Sequence, residues 1–231
     1  MNPLIIFVEG NIGSGKSTFL NQIKDHIPNV QCIQEPLDKW TKLCDRSGKN
    51  ILQYFYDDMK KYTYPFQSFA FLSRVMLLDK IDKTKQIVFI ERSVFSDKNI
   101  FAKNCLDNGT MTEIEWNLYN VWFDWMINKL NISNYKTIYL KCDSETSYKR
   151  LQERNRKEEQ NVSLQYIQDI HRCHEEWLNK DNSIIVDATR SFKNDIEFLE
   201  IYNELLQQLI KQHEKNDFQI DMKNIKEIMY C

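Results

Sequence analysis

Short apolar runs rich in β-branched residues alternate along the chain with longer stretches in which apolar residues recur every three or four positions. The short runs predict buried strands, at residues 4–8, 30–34, 87–90, 137–141 and 183–186. Roughly 20 to 50 residues connect one strand to the next, which is too long for a hairpin and long enough for a helical crossover. The pattern therefore predicts an α/β fold, a doubly wound sheet of mostly parallel strands with helices on both faces.

The longer stretches predict helices, at residues 16–26, 51–57, 66–82, 93–104, 112–130, 145–156, 164–179 and 192–215. Two of these helices have readable starts. Thr112 stands three residues before Glu115, which is the spacing of a capping box. Asp143 or Ser144 can cap the helix that follows them.

Composition narrows the classes of protein to which the chain can belong. Its 231 residues carry 31 basic and 33 acidic side chains, and a net charge of -2 offers no bulk attraction to nucleic acid or an anionic membrane. No apolar stretch approaches membrane-spanning length, and no basic leader precedes the first strand, so a cytoplasmic protein is expected. Without repeats or linkers, a single domain over residues 1–231 is predicted, with residues 216–231 a tail of unassigned role.

Three of the five glycines fall within six positions directly after the first strand. They belong to a segment that fits G-x-x-x-x-G-K-[ST] and leads into a helical pattern, as in a P-loop. Glycine is needed there because the loop turns its backbone N–H groups inward around phosphate oxygens. The predicted ATP-binding residues of this loop are Gly10, Asn11, Gly13, Ser14, Gly15, Lys16, Ser17 and Thr18.

Lys16 is expected to bridge terminal phosphate oxygens, and Ser17 to offer its hydroxyl to Mg²⁺. A P-loop alone leaves GTPases, ATPase motors and small-molecule kinases open. Further motifs must decide between them.

Four more segments follow in order along the chain. They are Glu35-Pro36-Leu37-Asp38-Lys39-Trp40, Asn50-Ile51-Leu52-Gln53 with Tyr56, Phe66-Gln67-Ser68-Phe69-Ala70-Phe71-Leu72-Ser73-Arg74, and Glu91-Arg92-Ser93-Val94-Phe95-Ser96-Asp97. Together with Arg150, Arg154, Arg156, Glu158 and Glu159, they resemble the deoxynucleoside kinases of the deoxycytidine kinase and deoxyguanosine kinase family over residues 4–207. The resemblance implies transfer of a phosphoryl group from ATP, with Mg²⁺, to the 5′-hydroxyl of a deoxynucleoside by a homodimer.

Two carboxylates stand at the carboxyl ends of predicted strands, where an open α/β sheet binds its ligands. The resemblance implies that Glu35 is the general base, which accepts the proton of the nucleoside 5′-hydroxyl. It also implies that Glu91 helps Ser17 to hold Mg²⁺, and that Arg92 reaches the transferring phosphate. The implied catalytic residues are Glu35, Arg92 and Lys16.

Arginine is rare in this lysine-rich chain, and three of its eight arginines fall at Arg150, Arg154 and Arg156. Because a guanidinium binds phosphate bidentately, the stretch 150–160 is interpreted as a lid over the phosphates of ATP that excludes water. A solvated charge run at a helix end is the alternative. Adenine is expected near Arg190 and Phe192, although this loop departs from the acidic-Phe pattern of the family.

The resemblance implies an acceptor pocket with apolar walls that stack on a base. Its residues are Trp40, Leu52, Phe66, Gln67 and Phe101, with Tyr56 and Glu159 reaching the 3′-hydroxyl. Any single aromatic side chain is more often part of the core than of a ligand pocket, whereas Gln67 stands out as polar within an apolar helical face. Arg74 and Asp97 match the pair of the purine and cytosine kinases, which predicts poor use of thymidine.

Several aromatic residues share the helix predicted at 112–130, among them Trp116, Trp122 and Trp125. Core packing explains such a surface. Because the family is dimeric through this region, part of it is expected to form a two-fold interface.

Two other functions compete with this reading. A nucleoside monophosphate kinase shares the P-loop and lid, but Glu35 would repel the acceptor's phosphate. A non-catalytic P-loop switch would bind nucleotide without turnover, yet Glu35 and Glu91 are both present. The residues leave the choice among adenine, guanine and cytosine open.

Overall fold

The computed structural model describes residues 3–130, 132, 135–178 and 183–190. Within them, five parallel strands form a sheet in the order β2-β3-β1-β4-β5. Their bounds, from β1 to β5, are Leu4–Gly10, Val30–Ile33, Ile87–Glu91, Tyr135–Lys141 and Ser183–Asp187. The predicted strands and their parallel arrangement are confirmed.

Helices connect these strands. They are α1 Lys16–His26, α2 Leu37–Lys42, α3 Ile51–Asp57, α4 Met59–Leu78, α5 Val94–Ser96, α6 Lys103–Asp107, α7 Glu113–Leu130, α8 Ser144–Arg154 and α9 Leu164–Leu178. A π-helical segment, Asp97–Ala102, joins α5 to α6, and a 3₁₀ turn, Lys157–Glu159, follows α8.

The central strand β1 is buried on both of its faces. Ile6 and Val8 pack with Phe19 of α1 in one apolar layer, while Phe7 packs with Leu77 of α4 in the opposite layer. Successive side chains of a strand point to opposite faces, so a strand covered on both sides shows a continuous apolar run. This explains why the sequence pattern identified the strands well and confirms helices on both faces.

Some helix boundaries differ from the prediction. Helix α4 begins at Met59 rather than at residue 66, because the Asp58 side chain caps it by accepting from the backbone N–H of Lys61 at 3.3 Å. Helix α2 was not predicted, since six residues are too few to show an apolar period. The predicted helix at 93–104 is interrupted by the π-helical segment.

The readable helix starts agree with the structure. Thr112 and Glu115 exchange hydrogen bonds in both directions as a capping box. Asp143, rather than Ser144, caps α8 and accepts from the backbone of Thr146 at 2.7 Å. Helix α8 ends at Arg154, two residues early, because the next residue has a left-handed φ of 47°.

The predicted helix at 192–215, the adenine contact at Phe192 and the tail at 216–231 lie outside the described residues. The single domain over the whole chain stays a prediction. Among the residues that the structure describes, no helix is both long and apolar enough to cross a membrane.

Candidate active site

The glycine-rich loop at the end of β1 closes around the amino group of Lys16. Its Nζ atom donates to the carbonyl oxygens of Gly10 at 3.0 Å and Asn11 at 2.6 Å. Gly13 has a φ of +84°, and a Cβ atom there would lie 2.1 Å from the carbonyl oxygen of Ser147. Glycine is required because α8 meets the loop backbone directly and the φ is left-handed. The loop therefore has the tight turn that a phosphate cradle needs.

The other side chains of this loop point in different directions. The Asn11 amide donates to the carbonyl oxygen of Ile167 at 2.9 Å and accepts from the backbone of Ile12 at 2.8 Å, so it ties the loop to α9. Ser14 is buried, and Thr18 is exposed. The structure thus gives the Asn11 side chain a contact within the protein.

Lys16 lies in an environment that disfavours its charge. Burial, together with the nearby charge of Arg92, lowers the pKa of Lys16 to about 7. Glu91 and Glu35 act in the opposite direction but do not compensate for the burial. A polyphosphate in the loop would favour the charged amine, because an opposite charge raises the pKa of a lysine.

Ser17 and Glu91 meet beside the loop because β1 and β3 are neighbours in the sheet. Strand residue Val8 is paired with Glu91, and the Ser17 hydroxyl lies 3.1 Å from each of its carboxylate oxygens. A hydroxyl and a carboxylate are hard oxygen ligands, and Mg²⁺ in phosphate sites takes few protein ligands beside phosphates and water. The donor set fits Mg²⁺ held with a bound polyphosphate.

Glu35 follows β2 and is bound by two arginines. Arg74 donates to its Oε1 at 2.9 Å, and Arg92 donates to both carboxylate oxygens at 2.7 Å. Burial alone would raise the pKa of Glu35, but the charges of Arg92, Arg74 and Lys16 outweigh it and lower the pKa to about 2. The group is therefore a carboxylate throughout the neutral range.

Arg92 reaches Glu35 from an unusual backbone conformation. Its φ is +60°, and its N–H donates to the carbonyl oxygen of Val8 at 2.9 Å. Its guanidinium lies 4.8 Å from the ring centre of Phe101. A left-handed φ is costly for a residue with a side chain and is found where the surroundings enforce it, often at functional sites.

Arg74 and Asp97 form a buried pair in the wall of the site. Nε of Arg74 donates to Oδ2 of Asp97 at 2.8 Å, and a second nitrogen donates to the carbonyl oxygen of Glu91 at 2.9 Å. Asp97 opens the π-helical segment, which also carries Phe101. Such segments are frequent at functional sites.

These groups line one cavity. Every residue predicted for the acceptor lines it, namely Glu35, Trp40, Leu52, Tyr56, Phe66, Gln67, Arg74, Arg92, Asp97, Phe101 and Glu159. One region of the fold thus brings together residues from five helical segments and two strand ends.

The apolar wall of the cavity is ordered by polar contacts. Trp40 donates from Nε1 to the hydroxyl of Ser73 at 2.9 Å and meets the ring of Phe66 edge-on at 5.4 Å. Gln67 is buried and directs its Nε2 toward the sulfur of Cys105 at 3.8 Å. Both contacts hold their side chains in one orientation toward the cavity.

Sequence reasoning missed several side chains of this cavity, including Phe55, Ala70 and Tyr166. Ala70 lies three residues after Gln67 on the same helix, so helical spacing carried a usable signal. Phe55 directly precedes Tyr56, but an apolar residue at such a position is also typical of the core, and Phe55 is indeed buried. Tyr166 belongs to α9, and nothing in the sequence relates it to this cavity.

Glu9, directly before the P-loop, was also missed. It is fully buried, and the Ser93 hydroxyl donates to its Oε1 at 2.5 Å. Burial raises the pKa of Glu9 to about 7. A carboxyl group with a raised pKa therefore accepts a hydrogen bond from Ser93, the residue directly after Arg92.

Two of the predicted lid arginines share one acceptor. Arg154 donates to Oε2 of Glu159 at 2.6 Å, and Arg156 donates to its Oε1 at 2.8 Å. Both arginines line the acceptor cavity and also a second cavity beside the P-loop, which Lys16 and Thr18 share. They therefore stand between the two cavities.

Arg150 behaves differently from the other two arginines. Its guanidinium donates to the carbonyl oxygens of Ala188 at 2.7 Å and Thr189 at 2.8 Å, and it reaches that of Arg190 at 3.2 Å. It also lines the cavity beside the P-loop. Arg150 thus binds the segment after β5, where adenine is expected.

Comparison with known proteins gives a consistent family. The family model described as deoxynucleoside kinase matches residues 6–229. The probable deoxycytidine kinase of Fowlpox virus (strain NVSL) is 41% identical over 178 residues, which cover 77% of this chain and 72% of that protein.

Vertebrate proteins are also similar. Deoxycytidine kinase of Homo sapiens is 36% identical over 193 residues, covering 75% of this chain and 74% of the relative. The mitochondrial deoxyguanosine kinase of Xenopus laevis is 35% identical over 205 residues, covering 81% and 76% respectively.

Proposed function

The chain belongs to the deoxynucleoside kinase family, and from that membership we propose that it transfers the γ-phosphoryl group of ATP to the 5′-hydroxyl of deoxyadenosine, deoxyguanosine or deoxycytidine in preference to thymidine. Phosphorylation of deoxynucleosides follows from the family. One observation supports the proposed roles of the cavity residues. The guanidinium of Arg74 donates hydrogen bonds both to Asp97 in the cavity wall and to Glu35, the proposed general base.

Glu35 is proposed as the general base. Its low pKa makes Glu35 a weak base. Phosphoryl transfer, however, depends more on positioning and charge stabilisation than on early removal of the proton. The carboxylate orients the attacking hydroxyl and receives its proton as the new P–O bond forms. Arg92 donates to both carboxylate oxygens of Glu35, which fixes the orientation of this carboxylate.

Lys16 and Arg92 are proposed to stabilise the charge that spreads over the transferring group. Both line the acceptor cavity, as Glu35 does. Preorganised cations in a site shielded from water contribute most to such reactions. Mg²⁺, when bound at Ser17 and Glu91, would neutralise part of the charge on the phosphates. Arg154 and Arg156 are proposed to act as the lid.

The preference against thymidine is proposed from the shape of the cavity wall. We propose that the guanidinium of Arg74 and the carboxylate of Asp97 would crowd a 5-methyl group on a bound base, and that Gln67 would pair with the adjoining polar atoms of the base. Arg74 cannot be moved alone without leaving the buried carboxylate of Asp97 unpaired.

A homodimer is proposed from the outer face of α7. Tyr119 and Phe123 are buried against the protein, whereas Val121, Trp122 and Trp125 are 67%, 52% and 57% exposed. Exposed apolar surface of this kind marks an interaction site. The proposed partner is a second copy of this chain, because a two-fold axis places the same apolar face of each copy against the other.

The family membership argues against the nucleoside monophosphate kinase and against a non-catalytic switch. The cytoplasmic location and a role in nucleotide salvage stay predictions. Transfer of labelled phosphate from ATP would be measured over the four deoxynucleosides and their monophosphates. We expect product from deoxyadenosine, deoxyguanosine or deoxycytidine and little from thymidine, while turnover on monophosphates alone would contradict the proposal.

A further inference from the structure

Helix α3 is joined at both of its ends to residues 158–161, which include the end of the 3₁₀ turn after α8. At its start, Nδ2 of Asn50 donates to Oε1 of Glu158 at 3.1 Å. At its end, Nδ2 of Asn161 donates to Oδ1 of Asp57 at 2.9 Å. These two hydrogen bonds span more than a hundred positions of sequence and none of the four residues lines the acceptor cavity.

The joined elements carry side chains of two different sites. Helix α3 places Leu52 and Tyr56 in the wall of the acceptor cavity. The turn places Glu159 between Arg154 and Arg156, which also line the cavity beside the P-loop. The two hydrogen bonds therefore link α3 to the segment that positions the arginines proposed to contact the donor.

The side chain of Asn50 is divided between two tasks. Its Oδ1 accepts from the backbone N–H of Gln53 at 2.9 Å, and the Gln53 side chain accepts in return from the Asn50 backbone at 3.0 Å. This capping box satisfies the start of α3. Capping needs only the oxygen, so the Nδ2 donor is left for Glu158.

We propose that Asn50 and Glu158 are positioning residues that couple the acceptor site to the donor site. A nucleoside that orders α3 then also orders Arg154 and Arg156, so each substrate binds more tightly when the other is present. Such a coupling is reciprocal and amounts to about 5- to 150-fold in typical cases. The inference rests on the proposed function for the identity of the two substrates.

The test uses Asn50→Asp, which keeps the capping oxygen and removes the donor. Aspartate is as good a cap as asparagine, but at position 50 it would face the carboxylate of Glu158. Binding of a non-hydrolysable ATP analogue would be measured by calorimetry with and without the deoxynucleoside that the enzyme phosphorylates most efficiently. In the wild type we expect this deoxynucleoside to tighten binding of the analogue about tenfold, and in Asn50→Asp we expect this factor to fall close to one.

Two further variants control for charge and for folding. Glu158→Gln retains an oxygen that can accept from Asn50, so it should behave as the wild type. In the double variant Asn50→Asp with Glu158→Gln, the new amide can donate to the new carboxylate. The coupling factor should then return. In steady state, Asn50→Asp should raise the KM for ATP while kcat at saturation changes little.

Specific results would overturn the inference. These are a wild type without coupling, an Asn50→Asp variant with the wild-type factor, or a double variant that does not recover. If Asn50→Asp unfolds, Glu158→Ala removes the same bond from the half-buried partner and must lower the factor. Absence of turnover on any deoxynucleoside would instead defeat the proposed function, because coupling is measured by binding.

Discussion

Nε of Arg74 donates to Oδ2 of Asp97 at 2.8 Å, and the two side chains are 1% and 3% exposed. The same guanidinium donates to Glu35 at 2.9 Å. The wall of the base pocket and the proposed general base are therefore held by one residue. Removing one member of a buried pair costs about 3–5 kcal/mol, because the other charge is left unpaired.

Replacing Arg74→Met together with Asp97→Ala should open the pocket to thymidine. The double change removes both charges of the pair and leaves Glu35 with Arg92 as its remaining partner. Turnover on every substrate should fall, since Glu35 loses one of its two arginines. The measurement is the ratio of kcat/KM for thymidine to that for deoxycytidine, which should rise.

Arg74→Met alone serves as the control for that experiment, because it leaves Asp97 buried without its partner and should lower the free energy of unfolding. A wild type that already prefers thymidine, or a ratio unmoved in the double variant, would show that this pair does not set substrate choice.

Glu35→Gln should lower kcat far more than nucleoside affinity. Glutamine keeps the shape of the side chain but accepts no proton, and loss of a general base costs about 10²- to 10⁴-fold. The kcat and the dissociation constant of deoxycytidine would be measured separately. Wild-type turnover combined with weak binding would make Glu35 a positioning residue.

Lys16→Met should lower turnover by orders of magnitude while the fold is retained, because Nζ bonds only to carbonyl oxygens of its own loop in this structure. The pKa of Lys16, about 7, allows a second measurement besides turnover, namely the proton uptake on binding of ATP. At pH 8 the free amine is mostly neutral, and bound phosphates raise its pKa, so ATP binding should take up a proton. Calorimetry in two buffers of different ionisation enthalpy measures this uptake. Lys16→Met should abolish it, and an equal uptake in both proteins would exclude Lys16 as its source.

Glu9→Gln should change how stability depends on pH. Burial raises the pKa of Glu9 from 4.5 to about 7, so the folded state holds this proton more tightly than the unfolded state. That stabilisation is complete below pH 4.5 and is lost as the pH rises through 7, a change of about 3 kcal/mol. Glutamine stays neutral and retains an oxygen for Ser93.

The variant should therefore gain stability relative to the wild type between pH 5 and pH 8. Urea unfolding at several pH values gives the difference in free energy of unfolding. Parallel curves for the two proteins would mean that Glu9 does not titrate in this range.

Trp122→Glu should dissociate the proposed homodimer without unfolding the chain, because the side chain is half exposed on the outer face of α7. A carboxylate in the centre of an apolar interface would be buried without a partner. Leu43→Glu is the matched control, since Leu43 is 48% exposed and directly follows α2 rather than belonging to α7. Sedimentation equilibrium measures the mass. A monomeric wild type, or a dimer that survives Trp122→Glu, would remove α7 as the interface.

Local sequence patterns were enough to predict much of the secondary structure and the P-loop. The strands could be predicted because both faces of the sheet are buried and each strand is continuously apolar. The P-loop could be predicted because its glycines and Lys16 are adjacent in sequence. The start of α4 was missed, since residues 59–65 are largely polar and the helix is positioned by its cap at Asp58.

The acceptor residues were identified through a resemblance, which supplied their types and order but no contacts. Sequence by itself determined the sheet, the phosphate loop and the set of charged residues. Only the tertiary structure decided that Arg74 bonds to Asp97 and Glu35 together, and that Arg154 and Arg156 share Glu159. Partners of this kind depend on how helices pack across the sheet. A long side chain can reach several acceptors, and the packing selects the arrangement in which the buried charges of Arg74, Asp97 and Glu35 are paired.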